Sequence, residues 1–449
     1  MTIKQARKHL SSWWYDLQDS LWFLPALLTL LAVVLAFGFV RLDQSLTLDQ
    51  RGQDKASYFF AFGGGAEGAR GVLSAIAGTM ITVTGVVFSL TIIALQLASS
   101  QYTPRVLRTF TGDRGNQIVL GVFIGTFAYA LLVLRSIRSS EETGPGFVPA
   151  ISVTVGIVLA FISIGFLIFY IHHIARAIQA SVVVQHAAKE TLHLVDVAFP
   201  RELDEEARNP PAMPPLAKTM ASRVCTDHGG YVQSVDESTL RDIVARDDEE
   251  LVIRLEHQVG SFVVPGAALA SVWPASSCGG EVEDCIRKAI ILGDERTLQS
   301  DIGYGIRQLA DIAIKALSPG INDPTTATMA IDRMAEALVE IGRRPMRSPV
   351  RRGKDGRGLL VLPGPEVERL VELAFTQVRH YGAADPMVAE HLVLVLGRIA
   401  EHVDHEHRQV LIDQARMVLD AAREQITLPA DQDRVERAAV WAEATAYAD

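Results

Sequence analysis

Residues 71–100, GVLSAIAGTMITVTGVVFSLTIIALQLASS, decide how the chain is built. The run is apolar enough to enter a bilayer, and as one α-helix rising about 1.5 Å per residue it would be about 45 Å long. It therefore has to tilt, kink or project beyond the hydrocarbon core. Its polar residues are ordered. Ser74, Gly78, Thr82, Gly85, Ser89 and Gln96 recur at helical spacing on one face, while Val72, Ile76, Val83, Val87 and Leu90 belong to an opposite face that reads as lipid-like. Two uses fit such a stripe. Small residues let helix backbones approach closely, with hydroxyls bonding across the contact. Uncharged hydroxyls and glycines also make a permissive wall for hydrated ions.

Three further segments, 21–40, 118–134 and 148–171, are long and apolar enough to span. Trp13, Trp14 and Trp22 surround the start of the first, as an interfacial belt would. Lys4, Arg7 and Lys8 make a cleaved secretory signal the rival reading there. The length of the apolar run and the lack of a clear small-x-small site favour an uncleaved helix. Gly121, Gly125 and Thr126 offer small-residue contacts in the third segment. No Asp, Glu, Lys, Arg or His lies centrally in any span, which weighs against proton-coupled pumps and carriers of charged substrates. Lys4, Arg7 and Lys8, then Arg105, Arg108 and Arg114, then Arg176 and Lys189 mark one side of the membrane. Both termini are expected in the cytoplasm.

Composition agrees with a membrane part followed by a water-soluble body: 449 residues, 49% hydrophobic, formal net charge −10, with a mean hydropathy of +0.21. The acidic balance and the absence of a long Lys/Arg block exclude nucleic acid as an expected partner. Cys225, Cys278 and Cys285 are odd in number and sparse, which suits a reducing compartment and not a disulfide scaffold.

The expected fold is an α-helical membrane protein with four transmembrane helices over 1–175, followed by a cytoplasmic α+β region. Apolar periodicity carries a helical stalk past residue 176 to a Pro-rich linker, NPPAMPP at 209–215, and the stalk and linker together occupy 176–216. Residues 217–275 read as a small β-rich module. Within it, 259–269, with Gly260, Pro265 and Gly266, is similar to the edges of small barrel or hammerhead modules related to lipoyl carriers, without a hairpin-tip lysine. Residues 276–449 read as a helical domain interrupted by a basic loop, RRPMRSPVRRGKDGRG at 343–358. That loop reads as solvated, with charge that could meet the acidic body, anionic lipid or a polyanion.

Chemistry-bearing motifs are few. In 318–326, SPGINDPTT, a turn leads into a helix start whose free N–H groups could hold an anion or phosphate, giving Arg307, Asn322, Asp323, Thr325 and Thr326 as ligand candidates. Asp301 and Asp323 can each cap a helix start, so helix capping explains the same residues, and Asp323 would repel an anion. There is no Gly-x-Ser-x-Gly, P-loop or HExxH, and Cys278 and Cys285 have no identifiable base, so neither an enzyme nor a cofactor is expected. His172, His173, His186 and His193 lack the spacing of a metal site. His391, His402, His405 and His407 with Asp404 and Glu406 make a local cluster, but His402 and His405 sit at a helix break and read as facing solvent, so no metal is expected.

Two strings, DIGYGIRQLADIAIKALSPGINDPTTA at 301–327 and LTIIALQLASSQYTPRVLRTFTGDRGNQIVLGVFIGTFAYALLVLR at 90–135, resemble a bacterial family of predicted membrane proteins, domain of unknown function 2254. The resemblance covers nearly the whole chain. It implies four spans and a cytoplasmic carboxy-terminal domain and assigns no activity. The residues themselves then set the leading expectation: a homo-oligomeric ion channel whose pore is lined by Ser74, Gly78, Thr82, Gly85, Ser89 and Gln96 and gated by the cytoplasmic region. Its partners would be the lipid bilayer, further copies of the chain and permeant ions. The rival expectation is a non-conducting scaffold or sensor whose cytoplasmic domain binds a small anion, nucleotide or protein.

Overall fold

The computed structural model describes residues 22–49, 62–102, 112–139, 146–202, 211–213, 221–245, 251–297 and 300–442. The basic amino-terminal tail, Trp13, Trp14, Arg105 and Arg108 lie outside the described residues. The chain forms two compact units, 1–182 and 183–449.

The first unit contains α1 (Phe23–Asp49), α2 (Ala66–Gln101), α3 (Arg114–Ser136) and α4 (Ala150–Ala177). All four are long and apolar enough to cross a membrane. Helix α3 is central and touches the other three. Glycine makes that possible. A Cβ on Gly121 would lie 2.6 Å from Leu28 Cδ1 and 3.1 Å from Pro25 Cα, and one on Gly125 would lie 3.2 Å from Ala32 Cβ. The two glycines, one turn apart, let the α1 backbone settle onto α3. Two apolar clusters fill the remaining contacts. Leu73, Ala77, Tyr129, Val133 and Val153 form one, and Met80, Val87, Val119, Phe123 and Tyr170 the other.

Polar groups join the same helices. Thr91 Oγ1 and Tyr170 Oη are 2.8 Å apart, and Thr126 and Ser163 share a hydroxyl contact of 3.1 Å. Asp43, only 5% exposed, caps another helix. Its carboxylate accepts from Ile151 N at 3.0 Å, from Ser152 N at 2.9 Å and from Ser152 Oγ at 2.6 Å. It thus satisfies N–H groups at the start of α4 that have no partner within that helix. Asp113 caps α3 through Gly115 N at 2.7 Å and meets His173 Nε2 of α4 at 2.7 Å.

The second unit begins within α5 (Ala180–Ala198), which follows α4 after a two-residue break. Arg344, 8% exposed, fastens the end of α5. It donates to Val195 O at 3.1 Å, Phe199 O at 2.7 Å and Asp196 Oδ1 at 2.6 Å, supplying donors where the helix's own N–H groups run out. That hydrogen bond from Arg344 holds the Asp196 carboxyl below the usual carboxylate range.

Two small sheets follow. Strands β1 (Ser222–Cys225), β3 (Val252–Leu255), β5 (Ala268–Trp273), β7 (Val350–Arg352) and β8 (Leu359–Val361) form one, in the order β1-β5-β3-β8-β7. Strands β2 (Gly230–Val235), β4 (Phe262–Val263) and β6 (Ile290–Gly293) form the other, in the order β4-β2-β6. Helices α6 (Glu237–Ala245) and α7 (Gly280–Ala289) contribute Leu240, Val244 and Ile286 to the core that these sheets enclose with Val224, Ile253, Val272 and Leu360. Helices α8 (Ile302–Ala316), α9 (Pro324–Gly342), α10 (Val367–Gly382), α11 (Pro386–Ala400), α12 (His405–Gln425) and α13 (Pro429–Ala438) make the helical part.

The fold class therefore stands as expected, with strands added beyond residue 275. Strands β6, β7 and β8 are three or four residues long, too short for an alternating pattern to announce them. The parallel β3–β8 pairing, Val252 opposite Leu359 through Arg254 opposite Val361, gives β8 its register; β7 takes its register from β8, and β6 from β2.

Gly121→Leu should drive α1 away from α3 and lower stability by about 1–3 kcal/mol. Titration of mixed micelles with a denaturing detergent would show it as an earlier unfolding midpoint, and an unchanged midpoint would remove this contact from the account.

Candidate functional site

Two regions offer chemistry, one in each unit. In the first, Ser74, Gly78, Thr82, Gly85, Ser89 and Gln96 are all exposed along α2. Nothing lies within 4 Å of a Cβ placed on Gly78 or Gly85. Thr82 donates its hydroxyl to Gly78 O and Ser89 to Gly85 O, each at 2.9 Å, so both protons are used within the helix and oxygen lone pairs face outward. The opposite face makes the contacts of α2 within the chain, through Leu73, Ala77, Met80, Val87 and Thr91.

This corrects the reading of Val72, Ile76, Val83, Val87 and Leu90 as lipid-like. Val87 is fully buried, and Ile76 and Val83 pack beside it. Of the five, Leu90 is exposed. Lipid tails are as apolar as valine, so polarity does not separate the inside of a membrane bundle from its outside.

In the second unit, the candidates Asn322, Asp323, Thr325 and Thr326 form the corner between α8 and α9. Asp323 accepts from Thr326 N at 3.0 Å and from the Thr326 hydroxyl at 2.5 Å. Pro324 takes the first helical position and Asn322 turns the chain at φ 49°. Capping thus occupies the N–H and hydroxyl of Thr326, two of the groups proposed to hold an anion. Arg307 is not part of this corner. It lies in α8, where it pairs with Asp311 at 2.8 Å and donates to Gln377 of α10 at 2.7 Å.

Arg307 instead borders a cleft of about 510 Å³ whose walls come from α8, α10, the turn at Gln258, Gly260 and Ser261, and the loop at Pro363 and Pro365. Its floor is built by Asp301, the N-cap of α8. Arg296 clamps that carboxylate with Nε to Oδ2 at 2.7 Å and Nη2 to Oδ1 at 2.9 Å. Gly260, at φ +88°, packs so closely that a Cβ there would overlap the Asp301 carboxylate, so both space and backbone require glycine. Arg369 of α10 completes the cationic lining. Sequence reasoning found Asp301 as a cap and missed Arg296 and Arg369. No pattern links Arg369 to a helix start so far back in the chain, because only the packing of α10 on α8 joins them.

Cations of the basic stretch 343–358 are paired with acids of the body of its own unit and of the stretch itself. Arg351 pairs with Glu237, Lys354 with Asp242 at 2.7 Å and Arg357 with Asp355 at 2.7 Å. The carboxy-terminal histidines are dispersed. His391 meets Asp332 at 2.8 Å, His402 meets Arg398 O at 2.8 Å and His407 meets Glu368 at 2.5 Å. Among the described residues no three His, Cys, Asp or Glu side chains converge as metal ligands would.

The four apolar helices agree with a comparison of the sequence with known families, in which one model, described as "Predicted membrane protein (DUF2254)", matches residues 18–398. The chain belongs to this family. The DUF2254 chain is also similar to uncharacterized proteins of Mycobacterium tuberculosis and Mycobacterium bovis, each 35% identical over 382 residues, a stretch that covers 83% of this chain and 72% of the relative. No solved structure matches it.

Asp323→Ala should cost about 1 kcal/mol through loss of the cap, read as a lower melting temperature of the purified protein. A gain in stability would show instead that this carboxylate is held against repulsion, as at a ligand site.

Proposed function

We propose that this DUF2254 protein is a homo-oligomeric ion channel of the bacterial inner membrane, with both termini cytoplasmic, its pore lined by the outward face of α2 and its conduction gated by the second unit. One observation carries the reading: the small and polar face of a 36-residue helix is left outside the chain's own bundle, while a less polar face makes the internal contacts. A polar face turned to lipid gains nothing there, whereas the same face turned to other copies can pack closely or enclose water. Four spans give one subunit little room for a conduit of its own, which is why self-association belongs to the proposal. The hydroxyls of Thr82 and Ser89, already donating to their own helix, would present oxygen atoms to a permeating cation or to water.

A second reading, a membrane-anchored sensor without conduction, is favoured by the cleft of the second unit. Ion flux into liposomes separates the two. The wild-type protein should conduct and Thr82→Leu should abolish the flux, at least tenfold, while eluting as the same folded species. Equal flux through a folded Thr82→Leu protein would remove α2 as the pore wall, and silence of the wild type under several ions, voltages and tensions would leave the sensor reading.

A further inference from the structure

We infer that the cleft between α8 and α10 is a binding site for a small organic anion, a metabolite carrying one phosphate or carboxylate group, with Arg369 as its anchoring cation. The assignment does not depend on whether α2 lines a pore. Its first support is how charge is layered. Asp301 and Asp311 are shielded, with side chains 5% and 10% exposed, while the side chains of their partners Arg296 and Arg307, which line the cleft, are 27% and 26% exposed. Buried acids thus hold Arg296 and Arg307 in fixed positions, and the accessible edge of each pair is the cationic one. An approaching anion meets oriented donors whose arrangement costs it little entropy.

The second support is Arg369. It is exposed on α10, borders the cleft, and forms no ion pair among the described residues, although Glu366 and Glu372 lie one turn to either side. A lone guanidinium beside two already oriented ones is suited to a two-point contact with carboxylate or phosphate oxygens. Neutral donors complete the wall at Gln258, Ser261 and Thr376, and Pro363, Pro365 and Leu373 give it apolar surface. The volume, about 510 Å³, suits a metabolite and not a single ion. Glu366 and Glu372 on the rim limit the total negative charge that can enter, which favours a monophosphate or monocarboxylate over a polyphosphate.

The test uses the full-length protein in detergent at low ionic strength, titrated separately with AMP, glucose 6-phosphate, a long-chain-free monocarboxylate such as gluconate, and inorganic phosphate as the bare anion. Binding is read as a saturable rise in melting temperature and confirmed by calorimetry. At least one organic anion should bind more tightly than inorganic phosphate, and Arg369→Gln should raise its half-saturating concentration about tenfold or more. Arg398→Gln, an exposed arginine on α11 away from the cleft, should leave it unchanged. Phosphate esters binding without gluconate, or the reverse, would name the group. Equal binding in Arg369→Gln, or no saturable shift with any of the four, would overturn the assignment. Neither result bears on ion flux, so failure here and failure of the channel reading are distinguishable.

Discussion

The membrane unit depends on one close approach, that of α1 onto α3 at Gly121 and Gly125. Bilayer lipid supplies no hydrophobic drive to press helices together, so shape and hydrogen bonding must do it. With α1 seated on one side, α3 is enclosed when α2 and α4 bring Leu73, Met80, Val87, Val153 and Tyr170 against the others. The hydroxyl pairs Thr91–Tyr170 and Thr126–Ser163 then fall inside the bundle, where an unpaired hydroxyl would be costly. What remains on α2, opposite the face so used, is the row from Ser74 to Gln96. Its outward position is thus a consequence of how the interior is filled.

The second unit is organised by paired charges. Asp301 with Arg296, Asp311 with Arg307, and Arg344 with the end of α5 place buried or half-buried charges where each has a partner. Removing one member would strand the other, which is more costly than the net worth of the pair. Such pairs fix where α5, α8 and the Gly260 turn lie, and the cleft is the space left between elements so held and α10. In the Asp301–Arg296 and Asp311–Arg307 pairs the arginine is the more exposed member.

Much of this architecture was legible in the sequence, and the failures have physical causes. Long apolar runs disclosed the four spans, because a bilayer demands length and apolarity. Gly121 and Gly125 were legible as small-residue contacts. The face of α2 that meets its neighbours was not, since both sides of the helix are compatible with lipid. Helix starts at Asp301 and Asp323 could be read because a cap is a local device. Strands β6, β7 and β8 could not, since each is only three or four residues long and β6 and β8 take their register from partners distant in the chain. Asp43 escaped notice because α1 runs past residue 40 and the N–H groups it caps belong to α4, about a hundred residues later in the chain. The site around Arg369 was hidden for the same reason: its parts come from β3–β4, α8 and α10.

The central claim is that the outward face of α2 meets another copy of the same helix. Its most direct measurement is oxidative cross-linking in native membranes of single-cysteine proteins, with Cys225, Cys278 and Cys285 replaced by serine. Thr82→Cys on the stripe should give a covalent dimer within the time that Leu90→Cys, exposed on the flank of the same helix, gives little or none. Equal cross-linking at the two positions, or none at Thr82, would contradict the account.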